Sequence, residues 1–319
     1  MSIIISGGFE DKYSHTEPPA KSVVLLGKTF TSLVSLPEEI ESHSMTITNN
    51  NELLVAGGCT RKEFKPSRIC YVYKRNSWFL LSTLHEFRIY SSMITMPNGV
   101  YIFGGVKHPL PKEPTPENTS CDNSEFLPNG SEEWQLGPKI PLPGIQAASG
   151  VAISNDEILF SGGRGNSNKI LIFKISTSTW YRSNLFYGRW THASFVYRDK
   201  VIICGGMNED FKVLNSTEIV SLTDGSIKLG GNLNVPRKSH GMGLIDVGNG
   251  VSKLIVFGGQ NNEKECLSSI EEWNETTQKW EMSKLTLPGP KRWGFAFCSS
   301  PNKFLRNSVT SDWQNLIAL

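Results

Sequence analysis

The sequence predicts an all-β fold that repeats a four-stranded sheet several times around a closed ring. Three observations lead to this prediction. Gly-Gly doublets recur behind short apolar runs, pairs of large apolar residues follow most doublets at a fixed spacing, and the chain begins and ends inside a repeat. At 319 residues, a chain with one ordinary core would usually divide into domains, whereas a ring of modules need not.

The doublets mark the repeat. They are 43 to 58 residues apart, and the four residues before each are mostly aliphatic, β-branched or aromatic, which is typical of strands buried on both faces. A phosphate-binding loop is disfavoured, because no Gly-Lys-Ser/Thr or Gly-x-Gly-x-x-Gly sequence accompanies them. The repetition favours structural turns with positive φ or close backbone packing. The doublets are Gly7-Gly8, Gly57-Gly58, Gly104-Gly105, Gly162-Gly163, Gly205-Gly206 and Gly258-Gly259.

A second landmark follows each doublet, namely two large apolar residues seven positions apart with turn-forming residues between them. Such a pair predicts the two strands of a hairpin with both anchors on the inner face. From the second repeat onward, an alternating strand also precedes the doublet, so each repeat is predicted to be a four-stranded meander. The anchor pairs are Val23/Phe30, Tyr71/Trp78, Leu127/Trp134, Phe173/Trp180, Val220/Ile227 and Trp273/Trp280.

The two ends of the chain complete one another. The N-terminus starts at the doublet strand Ile3 to Ser6, whereas Trp293 to Ser299 supplies a first strand with no doublet after it. Joining these fragments would close the ring and remove the exposed edges of an open array. We therefore predict a six-bladed β-propeller over residues 1–299, with blade 1 from 293–299 plus 2–36, blades 2–6 within 40–285, and a C-terminal tail at 300–319.

On the strength of these doublets and anchor pairs, the chain resembles the Kelch-repeat β-propellers. The family pattern is an apolar strand, Gly-Gly, a Tyr-like anchor and a Trp seven residues later, and six copies in phase cover nearly the whole chain. Two repeats depart from the pattern, with Val23 and Phe30 in one and Val220 and Ile227 in the other, which affects packing more than topology.

Composition narrows the function classes. The formal net charge is only +2 and no loop set carries a basic stripe, so nucleic-acid binding is disfavoured. No apolar run is long enough to span a bilayer and no secretory signal is present, so we expect no membrane association and a cytoplasmic location. The six cysteines form no Cys-x-x-Cys pair and are expected to be reduced, and we expect no metal or cofactor.

Arginine and histidine recur before the first strand of several repeats. Because equivalent positions in a ring of blades lie around its axis, we interpret these residues as structural groups that bond to neighbouring backbone rather than as a catalytic or metal site. The set consists of Arg88, Arg189, Arg237, Arg292, His43, His192 and His240.

The resemblance implies that a protein or peptide binds to one face of the ring, formed by the loops after Gly-Gly and the connections between blades. Loops carry recognition because rigid blades hold them in place, and Arg, Tyr and Trp are favoured anchors of interfaces. The Pro-rich insertion at 106–123 is a partner-gripping segment or a disordered loop. The predicted partner-binding residues are Arg61, Lys62, Tyr90, His108, Arg164, Asn166, Trp190, Asn208, Ser239, Asn261 and Trp293.

The predicted function is thus a non-enzymatic interaction module. In the family that the chain resembles, such rings present substrates to cullin-type ubiquitin ligases or bind actin, and a BTB or other adaptor domain would lie outside this chain. The enzyme alternative is a sugar enzyme resembling the six-bladed Kelch sialic-acid mutarotases.

Overall fold

The computed structural model describes residues 3–8, 23–26, 31–60, 65–107, 119–142, 145–248, 251–287, 291–299 and 317–318. Every named element in these ranges is a β-strand, as the alternating and β-branched segments predict. Within them, no helix is long and apolar enough to cross a bilayer.

Twenty-nine strands are numbered in chain order. The first nine are β1 (Ile3–Ser6), β2 (Val23–Leu26), β3 (Thr31–Leu33), β4 (Ser44–Ile47), β5 (Leu53–Ala56), β6 (Cys59–Thr60), β7 (Lys65–Pro66), β8 (Cys70–Lys74) and β9 (Ser77–Leu81). The next ten are β10 (Ser92–Met96), β11 (Gly99–Phe103), β12 (Asn123–Pro128), β13 (Gln135–Lys139), β14 (Ile145–Gln146), β15 (Ser149–Ala152), β16 (Glu157–Ser161), β17 (Arg164–Gly165), β18 (Lys169–Lys174) and β19 (Thr179–Asn184). The last ten are β20 (Ala193–Tyr197), β21 (Lys200–Cys204), β22 (Thr217–Ser221), β23 (Ile227–Leu229), β24 (Gly241–Gly248), β25 (Val251–Phe257), β26 (Ser269–Asn274), β27 (Lys279–Thr286), β28 (Ala296–Ser299) and β29 (Ile317–Ala318).

The strands form a β-propeller. Five sheets have four antiparallel strands, in the orders β28-β1-β2-β3, β4-β5-β8-β9, β10-β11-β12-β13, β20-β21-β22-β23 and β24-β25-β26-β27. The prediction of six four-stranded blades is therefore wrong, because the structure has five. Two of the remaining sheets have two strands, β6-β7 and β14-β17, and the last has five strands in the order β15-β16-β18-β19-β29. Its extra strand comes from the predicted tail and pairs with the outer strand, Ile317 opposite Arg182 and Ala318 opposite Tyr181.

The ring closes as the two chain ends predict. Strand β28 pairs antiparallel with β1, from Ser299 opposite Ile3 to Ala296 opposite Ser6. The pairing supplies the N-terminal sheet with its innermost strand and leaves no unpaired edge at the junction.

The apolar core lies between the sheets. Six clusters of buried side chains each join two neighbouring sheets, for example Phe103 of β11 with Phe160, Phe173 and Trp180 of the next sheet. Strands β11 and β16 are buried along their whole length, because a sheet packs on each of their faces. All six cysteines are free thiols.

Hairpin anchors lie opposite one another at three of the predicted pairs, Phe173/Trp180, Val220/Ile227 and Trp273/Trp280. Phe30, in the first pair, lies outside the described residues.

Tyr71 and Trp78 lie on the two strands of a hairpin as predicted but are not directly opposite, since Trp78 pairs with Tyr73 and Tyr71 pairs with Leu80. The reason is a two-residue turn at Arg75 and Asn76, both with positive φ, which is shorter than the turns in the other repeats.

The Gly-Gly doublets behave as predicted, with φ between 59° and 106° at all twelve residues. The first glycine of most doublets also packs against the backbone of the following connection. A Cβ on Gly57 would lie 2.5 Å from the carbonyl oxygen of Arg88, and the N–H of Gly58 donates to that same oxygen at 2.8 Å. Glycine is needed here both for its conformation and for the close approach.

We predict that Gly57→Ala destabilises the protein much more than Gly130→Ala. Both residues have positive φ, which costs a non-glycine residue about 1–2 kcal/mol, but a Cβ on Gly130 meets nothing within 4 Å. The clash with Arg88 should therefore add at least about 2 kcal/mol to the Gly57 variant. Urea unfolding of both variants measures the difference, and equal losses would contradict the packing role.

Candidate functional site

One end of the propeller carries the loops that follow the Gly-Gly doublets and the connections between sheets, and we call it the loop face. Backbone bridges tie each connection to the next post-doublet loop, as in Trp190 with Met207 and Lys238 with Gln260. Two rows of loops are thus fixed to the same rigid frame.

A closed ring of backbone hydrogen bonds surrounds the axis at the loop face. Six residues, one just before each innermost strand, donate their N–H to the carbonyl oxygen of the preceding member, with distances from 2.8 to 3.3 Å. All six have φ between 48° and 64°. We call this set the mouth ring, and its members are Ser42, Tyr90, Ala147, Thr191, Ser239 and Gly294.

The mouth ring explains why five non-glycine residues adopt left-handed backbone. That conformation is costly for residues such as Tyr90 and Thr191. It persists because every member is bonded on both sides and the innermost strands below it fix the spacing. Two predicted site residues, Tyr90 and Ser239, belong to this ring.

Behind the mouth ring lies a central cavity of about 330 Å³. Its wall is rich in hydroxyl groups that bond across neighbouring innermost strands, with 2.7 Å between the Oγ atoms of Ser44 and Ser91 and 2.6 Å between those of Ser149 and Ser194. Among the described residues that line the cavity, none has a formally charged side chain apart from histidine.

The three recurring histidines lie in this wall and join adjacent sheets. Nε2 of His43 lies 2.7 Å from Oγ of Ser6, and Nε2 of His192 lies 2.8 Å from Oγ of Ser161. Burial lowers the pKa of His43 to about 3. Burial, assisted by nearby arginines, holds the pKa of His192 and His240 well below the usual value. All three imidazoles are therefore neutral at physiological pH.

The recurring arginines join the Gly-Gly doublets of neighbouring sheets. The guanidinium of Arg189 donates to the carbonyl of Gly205 at 2.9 Å, while the carbonyl of Arg189 accepts from Gly163 at 2.9 Å. Arg88 and Arg237 make the same pair of contacts, and all three side chains are fully buried. The structural interpretation of these arginines is confirmed.

Each of these arginines pairs with a buried glutamate on the third strand of the sheet. The distances are 3.0 Å for Arg88–Glu125, 2.7 Å for Arg189–Glu218 and 2.8 Å for Arg237–Glu271. The carboxylates also accept backbone N–H groups of the connection, as Glu218 does from Phe186 and Tyr187. These glutamates were missed, although each stands two residues before a hairpin anchor, a signal that the sequence shows.

An aromatic and cationic cluster lies on the loop face where the five-stranded sheet meets the sheet β20-β21-β22-β23. The guanidinium of Arg164 lies 5.7 Å from the ring centroid of Trp190, and Phe211 meets that ring edge-on at 6.1 Å. Trp190 Nε1 donates to the carbonyl of Asn208 at 3.3 Å. Arg164 and Phe211 are exposed, whereas Trp190 is half-buried between them.

Comparison with known proteins agrees with this architecture. The family model described as Kelch motif matches residues 252–283, which contain most of β25, all of β26 and most of β27. The chain is a β-propeller that contains a Kelch motif. A solved structure described as "Structure of YjhT" has a TM-score of 0.69 over 88% of this chain and 97% of that chain, at 13% sequence identity. At that identity the likeness shows the fold alone. No curated protein sequence gives a significant match.

The propeller brings three of the predicted partner-binding residues into one cluster, namely Arg164, Trp190 and Asn208. Asn261 lies in the neighbouring loop, where its Oδ1 accepts the N–H of Glu265 at 2.8 Å. Asn166 makes backbone turn contacts with Gly163 and Lys169, and Trp293 is half-buried. Arg61, Lys62 and His108 lie outside the described residues, as does most of the predicted insertion.

Phe211 was missed, since Asn208 is the one residue of this loop among the predicted partner-binding residues. Its signal lies in a comparison of two loops, since Asn208-Glu209-Asp210-Phe211 occupies the same turn as Asn261-Asn262-Glu263-Lys264 of the next sheet. The position holds phenylalanine in one loop and lysine in the other.

We predict that His43 makes the protein less stable in acid. Its folded pKa of about 3 lies below the ordinary 6.5, so the unfolded state binds more protons between these values and stability falls as the pH decreases through that window. At pH 5 this residue lowers the free energy of unfolding by about 2 kcal/mol relative to pH 7.

Replacement by glutamine, which keeps a donor for Ser6, should reduce the pH dependence by about that amount. Urea unfolding at pH 7 and pH 5 measures it. An unchanged difference between the two pH values in His43→Gln would contradict the assignment.

Proposed function

We propose that this Kelch propeller is a non-enzymatic binding module that holds a partner protein on its loop face. The observation that carries the proposal is the cluster of Arg164, Trp190, Asn208 and Phe211. Trp and Arg are the side chains most enriched at energetically important interface positions, and here they stand on a rigid frame at low entropic cost.

The partner's class is also a proposal. A substrate presented to a cullin-type ubiquitin ligase and actin are the two kinds of partner that the family resemblance implies. The loop-face cluster is compatible with either, and the Kelch motif supports a protein partner in general without choosing between them.

The central cavity favours the binding module over the sialic-acid mutarotase alternative. Sialic acid carries a carboxylate, and burying an ion without a counter-charge is costly. The described lining residues offer hydroxyls, apolar groups and histidines held neutral by burial.

We predict that Trp190→Ala and Arg164→Ala each reduce recovery of the partner in affinity purification of the tagged protein from cell lysate with quantitative mass spectrometry. Truncation of a central interface Trp costs about 2 kcal/mol or more, so Trp190→Ala should weaken binding about thirtyfold. Arg164→Ala should cause a smaller loss of partner recovery. Because Arg164 is exposed, its truncation tests the same surface and leaves the core intact.

Arg198→Ala is the matched control. Arg198 is an exposed arginine in the β20–β21 turn at the opposite end of the ring, where it pairs with Glu275 at 2.8 Å. This variant should recover the partner as the wild type does. Retention of every wild-type partner by both loop-face variants would refute the proposed surface.

A further inference from the structure

The outer edge of the five-stranded sheet accepts a further strand, and its geometry suits this role. Its outer meander strand, β19, pairs with β18 over six residues without a shift in register and contains no proline. The outer strands of the other described sheets are shorter, as in β3, β9 and β23, or have a shifted register, as in β13 and β27. A long regular edge presents a row of unpaired N–H and C=O groups to an added strand.

An apolar groove lies beside β19, between this sheet and the sheet β10-β11-β12-β13. We call it the outer groove, and residues that line it include Tyr101, Phe126, Lys139, Ser178 and Trp180. Its volume is about 470 Å³. The rings of Tyr101 and Phe126 stack with their centroids 4.4 Å apart, and the Trp180 side chain is buried. Among the described lining residues, only the exposed Lys139 is charged. The outer groove therefore suits an apolar side chain.

The added strand β29 leads toward this groove. It runs antiparallel to β19 with Ala318 opposite Tyr181, so the same register continued by one residue reaches Trp180. The residue at that position is Leu319, which lies outside the described residues. Residues directly opposite one another in an antiparallel pair have their side chains on the same face. Because Trp180 lines the outer groove, a leucine opposite it would face the groove.

We propose that the outer groove is the docking site for residues 316–319 of this chain, with the side chain of Leu319 against Trp180 and Phe126. The docked segment covers the edge of β19, so that a strand from another molecule adds there only after the segment leaves. Ser178 places the outer groove at the β18–β19 turn, at the end of the sheet opposite to the loop face. The inference is therefore independent of the proposed function.

Disulfide trapping in the full-length protein tests the proposal. Arg182→Cys combined with Ile317→Cys puts two thiols at directly opposed positions, where the Cα separation of an antiparallel pair allows a disulfide. Arg182 is exposed, and the native cysteines are buried except for the half-buried Cys298. Mild oxidation of dilute protein should give a monomer with an internal disulfide between these positions, identified by mass spectrometry of non-reduced peptides. Neither single variant should give it.

Leu319→Asp, added to the cysteine pair, tests the groove itself. It should slow formation of the disulfide at least about fivefold, because a carboxylate loses hydration on entering an apolar groove. Leu316→Asp is the matched control. Residues three positions apart in a strand lie on opposite faces, so this variant should change the rate less than about twofold.

Ser178→Asp, added to the same cysteine pair, tests the groove from its other side. Ser178 is exposed and has φ of 52°, a conformation that aspartate tolerates, so the variant should fold. The new carboxylate should slow disulfide formation at least about threefold. Gln278→Asp is the matched control, because Gln278 has the same φ of 52° at the same position of the β26–β27 turn. It should leave the rate unchanged.

Absence of the internal disulfide would overturn the inference, as would a disulfide that forms only between two copies of the chain. Equal rates in Leu319→Asp and Leu316→Asp, or in Ser178→Asp and Gln278→Asp, would also overturn it. None of these results concerns the loop face. The proposed function fails separately, if the partner recovered from lysate is unaffected by Trp190→Ala and Arg164→Ala.

Discussion

The propeller depends on one repeated contact between the Gly-Gly doublet of a sheet and the connection that leads to the next sheet. At Arg189 the backbone carbonyl accepts the N–H of Gly163, while the side chain of the same residue bonds to the carbonyl of Gly205. One arginine thereby fixes two doublets at a set distance. A Cβ at the first glycine of a doublet would press against the connection, so the sheets can approach this closely only with glycine.

Burying the arginine creates the need for the glutamate. An unpaired guanidinium inside the protein would lose several kcal/mol of hydration free energy, and Glu218 compensates by pairing with it and accepting two backbone N–H groups. Because the carboxylate also holds the connection, the backbone that reaches the mouth ring has little freedom. The left-handed conformations around the axis are a consequence, since each member is confined by hydrogen bonds on both sides.

Sequence periodicity could predict the parts of this structure that every repeat shares. The doublet strands, the pairing of β28 with β1 and the structural arginines follow from patterns that recur in register. The exceptions are local. The register at Trp78 depends on a two-residue turn. The fifth strand of one sheet depends on the pairing of two residues from the tail. The unusual position of Phe211 can be recognised only when its loop is compared with the next one. Such features depend on individual turn geometry and tertiary contact, which periodicity does not record.

The same repetition supports the proposal that a partner binds on the loop face rather than in the channel. Around the axis, the backbone N–H of each mouth-ring residue is already bonded to the next member, and many wall hydroxyls bond to one another. A ligand in the channel would have to compete with these bonds, gaining little net free energy for each exchange. At the cluster of Arg164, Trp190, Asn208 and Phe211, the exposed side chain of Phe211 still contacts water. Binding there would bury apolar surface without breaking contacts that hold the blades together.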